Sequence, residues 1–323
     1  MAGPSLLYSQ IVTGTQGAAG SEVTCLASWN VDLVIRIDAP LAAGQTVLAD
    51  DCFRSPGGKG SNAAIAAARQ GARVQVLAAV GDDDFGAMGV QLWRDEGIDV
   101  GAVRRLAHQS SGVAMIVVYP DGDNSIVVAS GANRFLSVEQ VRAAGERLAA
   151  SGLVMASAEV PLDSVTEAFR LARAGKALTL LNPAPACPLP EELLAHTDIL
   201  TPNRHELALL AEAGGESVEQ QAKRLVRQVA RAVIVTLGSQ GCCVVQRDQP
   251  TVWMPAVSAR VVDTVGAGDA FNGALAAALA RGESIENAAR WANCAAALST
   301  EAPGAVGGLA RREQVANRLA TGA

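Results

Sequence analysis

The segment Val261-Val262-Asp263-Thr264-Val265-Gly266-Ala267-Gly268-Asp269-Ala270-Phe271-Asn272-Gly273 runs from an extended stretch into an Ala-rich helical one. Gly266 and Gly268 let the backbone turn tightly and present successive N–H groups at the start of the helix. The helix dipole adds positive potential there. Such a cradle suits negative charge developing on a phosphoryl group in transfer. Asp269, in the first turn, stands where a carboxylate can take the proton of an attacking hydroxyl. On these residues alone a second reading stays open, in which Asp263 and Asp269 are helix-entry caps.

An earlier glycine cluster, Gly57-Gly58-Lys59-Gly60, is not a Walker A loop. Its lysine is followed by glycine, so the hydroxyl that would hold Mg²⁺ is missing. Nor does Gly266–Gly273 match a dinucleotide fingerprint, because its third glycine is displaced and the motif lies far from the first strand. A nicotinamide-dependent oxidoreductase is excluded for want of an early G-x-G-x-x-G.

The elements that must hold these motifs follow from apolar periodicity. Strands are expected at 23–29, 74–80, 153–157, 177–181, 198–201, 232–237, 242–246 and 251–254. Helices are expected at 61–70, 84–96, 137–149, 161–174, 204–213, 217–229, 267–280, 284–299 and 310–319. The alternation implies an α/β fold, a three-layer Rossmann-like sandwich with a mostly parallel central sheet. The β-runs 34–37 and 47–53, turning at Ala43-Gly44, and 113–118 and 125–128, turning at Pro120–Asn124, lack crossover helices. They are expected to form a small separate antiparallel sheet, a lid on the α/β body, from about 33–56 and 111–130. Residues 1–20, with Gly14, Gly17 and Gly20, read as a disordered leader, and 21–323 as one α/β domain.

Net charge is −6 and no basic run stands out, so neither nucleic acid nor an anionic membrane is expected as a partner. No apolar stretch has the length of a membrane span, and no signal peptide is read. The six cysteines contain no CxxC pair and the three histidines supply no zinc spacing, so reduced thiols in a cytoplasmic protein are expected.

Taken together, the two glycine sites resemble the ribokinase family of sugar kinases. The resemblance runs from Val23 to Leu319. It is carried by Gly57-Gly58-Lys59-Gly60-Ser61-Asn62 with Val80-Gly81-Asp82-Asp83-Asp84-Phe85-Gly86, and by Asp263–Gly273. It implies that Asp269 deprotonates the sugar hydroxyl and that the amides of Gly266, Ala267 and Gly268 form the anion hole. Asn203 and Glu206, in Thr201-Pro202-Asn203-Arg204-His205-Glu206, would organise Mg²⁺, through water, and the nucleotide phosphates. Thr236 and Gly238 would meet the triphosphate, and Asn293 would line the adenine pocket.

The resemblance also places sugar contacts at Asn30, Asp32, Gly58, Lys59, Asn62, Glu159 and Asp269. Read without it, Lys59, Asp32 and Glu159 could be solvated side chains. The implied reaction is ATP-dependent phosphorylation of D-ribose at O5. The alternative is another substrate of the same family: deoxyribose, another pentose, fructose or a nucleoside. Ala63 stands where ribokinases often have Gln. A K⁺ site would use Asp263, Val265, Thr300, Pro303 and position 305 (Ala305) within the stretch 300–308, where Gly308 lacks a hydroxyl that often helps. A homodimer through the lid is expected.

Overall fold

The computed structural model describes residues 22–321 apart from positions 40, 50, 122 and 213; the expected leader, 1–20, lies outside the described residues. In chain order the strands are β1 (Glu22–Leu26), β2 (Asn30–Arg36), β3 (Cys52–Gly57), β4 (Arg73–Gly81), β5 (Asp99–Leu106), β6 (Gly112–Val118), β7 (Asn124–Ala129), β8 (Leu153–Ser157), β9 (Leu178–Asn182), β10 (Ile199–Leu200), β11 (Ala232–Thr236), β12 (Cys242–Gln246) and β13 (Val252–Met254). The helices are α1 (Lys59–Arg69), α2 (Asp84–Asp95), α3 (Val138–Ala143), α4 (Gly145–Ala150), α5 (Leu162–Ala174), α6 (Glu191–Ala195), α7 (Arg204–Leu210), α8 (Val218–Leu225), α9 (Ala267–Ala280), α10 (Ile285–Ser299) and α11 (Arg312–Thr321).

The main sheet has the order β13-β12-β11-β10-β9-β8-β1-β4-β5, parallel from β11 to β5, with β12 and β13 antiparallel at one edge. Strand side chains alternate between its faces. Val74, Val76 and Ala78 join one core with the helices α1, α9 and α10; Leu77 and Ala79 join the other with α5 and α8. The three-layer expectation holds. The sheet order reverses at β1, which lies between β8 and β4. In an open parallel sheet, ligands bind beyond the strand C-termini at such a reversal. Ser28, after β1, and Glu159, after β8, lie there.

The second sheet is β3-β2-β6-β7. It is not antiparallel throughout, as the sequence implied: β2 pairs with β6 in parallel. Both strands leave the body in the same direction, and α1, β4, α2 and β5 supply the long connection that a parallel pair needs. The expected strand 23–29 breaks after Leu26, and the chain re-emerges at Asn30 as the first lid strand. Edge strand β5 was not foreseen, because Arg104 and Arg105 interrupt its apolar pattern. The expected helix 137–149 is divided at Ala144 into α3 and α4.

Helices α1 and α9 pack unusually closely. A Cβ at Gly273 would lie 2.3 Å from the Ala63 carbonyl oxygen and 2.5 Å from the Ala66 methyl. Small residues on both helices permit this approach, and it brings their N-terminal ends, with Lys59, Asn62 and Asp269, to one place.

Candidate active site

Helix α9 starts without a side-chain cap. Gly266 is its N-cap at φ 79°, a left-handed conformation that favours glycine. Among the described residues, the N–H groups of Gly266, Gly268 and Asp269 find no protein acceptor, and that of Ala267 makes a long 3.3 Å bond to the Thr264 carbonyl. A Cβ built at Gly268 would meet nothing within 4 Å. The expected cradle is therefore an open set of amides, with the Ala267 amide partly engaged. Asn272 braces its first turn: its Nδ2 donates to the Gly268 carbonyl at 2.8 Å, and its Oδ1 accepts from Thr201 Oγ1 at 2.6 Å.

Asp269 is buried beneath that cradle, and Asn62 Nδ2 donates to its Oδ2 at 2.8 Å. Burial raises its carboxyl to about 6 despite the opposing Lys59 charge and Asn62 hydrogen bond, with Glu159 and Glu206 adding to the rise. Asn62 Oδ1 is buried without a partner among the described residues. Burial likewise raises Asp32 to about 6, helped by Glu159 and Asp269 and opposed by Lys59. For Lys59, burial pushes downward, but Asp269, Glu159, Glu206 and Asp32 outweigh it, so its ammonium stays charged.

The entrance to α1 is finished differently. Gly58 sits at φ 93°, and a Cβ there would lie 2.7 Å from the Ser28 carbonyl oxygen. Glu159 Oε2 accepts the Lys59 N–H at 2.8 Å and the Ser28 hydroxyl at 2.6 Å, and Ser28 Oγ accepts the Gly60 N–H at 3.0 Å. Glu159, expected as a sugar contact, thus holds this entrance with one oxygen and leaves the other. Ser28 was missed. It stood in what read as a strand, and its only signal was a hydroxyl beside the Asn30-Val31-Asp32 run. Asn30 and Asp32 project from the same face of β2, and Asp32 lies over Gly57, where a Cβ would fall 2.2 Å from Oδ1.

The Asn203–Glu206 element caps α7. Asn203 Oδ1 accepts the His205 and Glu206 amides at 2.8 and 2.9 Å; Glu206 accepts the Asn203 N–H and Nδ2 at 2.8 and 2.7 Å. Asn203 is bridged in parallel to Thr236, at the end of β11, which puts the expected triphosphate turn beside it. Gly238 follows at φ 58°. Among the described residues no three His, Cys, Asp or Glu side chains form a metal-binding group. One carboxylate with spare lone pairs still fits Mg²⁺, which keeps waters and phosphate oxygens as its other ligands. Asn293 spends its Nδ2 on the Pro255 carbonyl at 2.8 Å.

Asp263 ties the expected cation loops together, accepting the Val265 and Gly304 amides at 3.0 and 2.8 Å. The Thr300 carbonyl already accepts two amides, from Val262 and Asp263, at 2.7 and 3.1 Å. Two donors fill its lone pairs, so it fits a cation poorly. Among the described residues the Val265, Pro303 and Ala305 carbonyls accept no such bond.

A model of the pfkB family carbohydrate kinases matches residues 21–311. The chain belongs to that family. It is thus a pfkB-type carbohydrate kinase, a phosphotransferase acting on a sugar alcohol. It is similar to the ribokinase of Bacillus subtilis, with 37% identity over 297 residues, covering 92% of this chain and 99% of that protein. It is also similar to a deoxyribokinase of Salmonella typhi, at 34% over 287 residues, covering 88% and 94%. Among solved structures it resembles Arabidopsis thaliana ribokinase complexed with ribose and ATP, with a TM-score of 0.85, 28% identity, and 92% and 97% of the two chains covered.

Proposed function

We propose that this pfkB kinase transfers the γ-phosphoryl group of ATP to O5 of D-ribose. One observation carries the reading: Asp269, held by Asn62, lies buried at the first turn of a helix whose N–H groups are open. The attacking O5 hydroxyl gives its proton to Asp269 as the O5–P bond forms. The bond from γ-phosphorus to the β–γ bridging oxygen breaks, and ADP leaves. The Gly266 and Gly268 amides face the charge on the phosphoryl oxygens. Mg²⁺, held through water by Glu206, would neutralise the triphosphate.

The sugar contacts are Asn30, Asp32, Gly58, Lys59 and Asn62, with the free oxygen of Glu159. Asn203, Thr236, Gly238 and Asn293 belong to the nucleotide side. K⁺ would bind at the Val265, Pro303 and Ala305 carbonyls near Asp263. Closure of the lid would exclude water and so prevent wasteful hydrolysis of ATP.

The test is an ADP-release assay over a panel of sugars, with and without K⁺. Turnover of another sugar with none on ribose would sink the ribose assignment. A 2-deoxypentose is the second reading, supported by the similarity to a deoxyribokinase; the ratio of kcat/KM for ribose and deoxyribose decides between them. The lid exposes Phe53, Ile126 and Val128 on one face and Met115 and Val127 on the other, apolar side chains suited to pairing with a second copy. Light scattering at a monomer mass would refute that dimer. Among the described residues no helix is long and apolar enough to cross a membrane. A cytoplasmic site of action accords with the free thiols of all six cysteines.

A further inference from the structure

Asn133 lies in a short 3₁₀ turn (Gly131–Phe135) on the body, just beyond the last lid strand, and is buried. It touches the chain where the main sheet hands over to the lid. Its Oδ1 accepts the Trp29 N–H at 2.8 Å, and its Nδ2 donates to the Trp29 carbonyl at 3.0 Å and to Asn30 Oδ1 at 2.9 Å. The two backbone bonds leave no freedom in the amide. An N–H can only donate and a carbonyl can only accept, so the oxygen of Asn133 must face the first and its nitrogen the second. The atom of Asn30 that meets this nitrogen must then be its oxygen. Asn30 is left with its NH₂ group as the free end, and among the described residues that nitrogen has no protein acceptor.

The same contact explains a glycine. A Cβ at Gly112, the first residue of β6, would lie 2.0 Å from Asn30 Oδ1 and 2.6 Å from Asn133 Nδ2. Any side chain there would part the two amides.

We propose that Asn133 is a positioning residue that fixes Asn30 as a hydrogen-bond donor to the sugar, acting from the immobile body on a side chain at the root of the lid. This rests on the reading of Asn30 as a sugar contact. Without Asn133 the Asn30 amide can rotate and offer an acceptor to the same hydroxyl. The sugar then binds less well, and the ATP side does not change.

The test is a double-mutant cycle in sugar KM, with kcat, ATP KM and thermal melting measured alongside. Asn133→Ala should raise the sugar KM about tenfold, with ATP KM and kcat within about twofold. On an Asn30→Ala background it should add less than about twofold, because the residue it acts through is gone. Asn133→Asp covers the case in which the alanine variant does not fold. Its ionised carboxylate still accepts the Trp29 N–H but cannot donate to Asn30, so the same rise is expected. Gly112→Ala should reproduce that rise. Full multiplication of the two effects in the double variant, or an equal rise in ATP KM, would overturn the positioning role. An unchanged sugar KM in Asn30→Ala alone would instead remove Asn30 from the sugar pocket, a separate failure.

Discussion

Helices α7 and α9 both begin near the C-terminal edge of the main sheet, yet they are finished in opposite ways. At α7, Asn203 and Glu206 close a reciprocal capping box, so the backbone donors are satisfied by the protein itself. At α9 the N-cap is a glycine with no side chain to offer, and three amides are left open over a buried carboxylate. An unfinished helix start at a buried site costs stability unless something else completes it. Here the open start is the one under which Asp269, the proposed proton acceptor, lies. The closed one holds the Glu206 carboxylate still, with lone pairs to spare for the Mg²⁺ waters proposed above. The contrast separates a surface kept for a ligand from one that locates a ligand by being rigid.

The comparison breaks most sharply at Asp269. Asp269→Asn should lower kcat by about 10²–10⁴-fold with nucleotide binding retained, which single-turnover assays and nucleotide titration would measure. It should also stabilise the fold. The folded carboxyl titrates near about 6 against an ordinary 3.8, so folding favours the protonated form. That stability is complete below the unfolded value, declines as pH rises through the folded one, and is absent above. At neutral pH the amide variant should therefore melt higher, by on the order of 2 kcal/mol. A lower melting temperature would show that the charge is satisfied after all.

Loss of the box at α7 should be intermediate. Glu206→Ala should raise KM for MgATP about tenfold, through loss of the carboxylate on the metal side, and weaken the fold by about 1 kcal/mol, through the lost cap. An unchanged KM would confine Glu206 to a structural role. The pH profile sharpens the same contrast. With Asp269 at about 6, kcat/KM for the sugar should fall about tenfold per unit below that point, and Asp32, also at about 6, should steepen the decline. A flat profile would point to another base.

The smallest expected effects separate two glycines of the cradle. Gly266→Ala meets both a left-handed φ and Ala305 at 2.9 Å, and should cost about 1–3 kcal/mol of stability. Gly268→Ala meets open space and an ordinary helical conformation, so it should leave stability unchanged or raise it by up to about 1 kcal/mol. Its methyl group should nevertheless slow turnover by filling space meant for the phosphoryl group. Unchanged turnover in Gly268→Ala would show that the open space there has no use in the reaction, and equal thermal effects for the two variants would erase the difference between the two glycines.

The parts of this site that were legible in the sequence are those built from local rules. The glycine turn into α9 at Gly266–Asp269 announces itself by residue type and spacing, and the N-x-x-E start of α7 followed from the family resemblance. What escaped depends on contacts between distant segments. Ser28 and Asn133 are ordinary polar residues until β1 stops after Leu26 and the chain crosses into the lid, and nothing local marks that crossing. Parallel pairing of β2 with β6 was hidden for the same reason: it follows from the direction in which two distant strands leave the body. The competition at the Thr300 carbonyl was invisible because backbone ligands carry no side-chain signature.

The contact of Gly273 with Ala63 has a bearing on how such an enzyme can change. It sits one turn beyond Asp269, the proposed proton acceptor, and acts as a spacer of fixed thickness between α1, which carries Lys59 and Asn62, and α9, which carries the open amides. Changes at the lid could retune which sugar enters without disturbing the span over which the group jumps. A single methyl inserted at this seam would instead lengthen that span for every substrate alike.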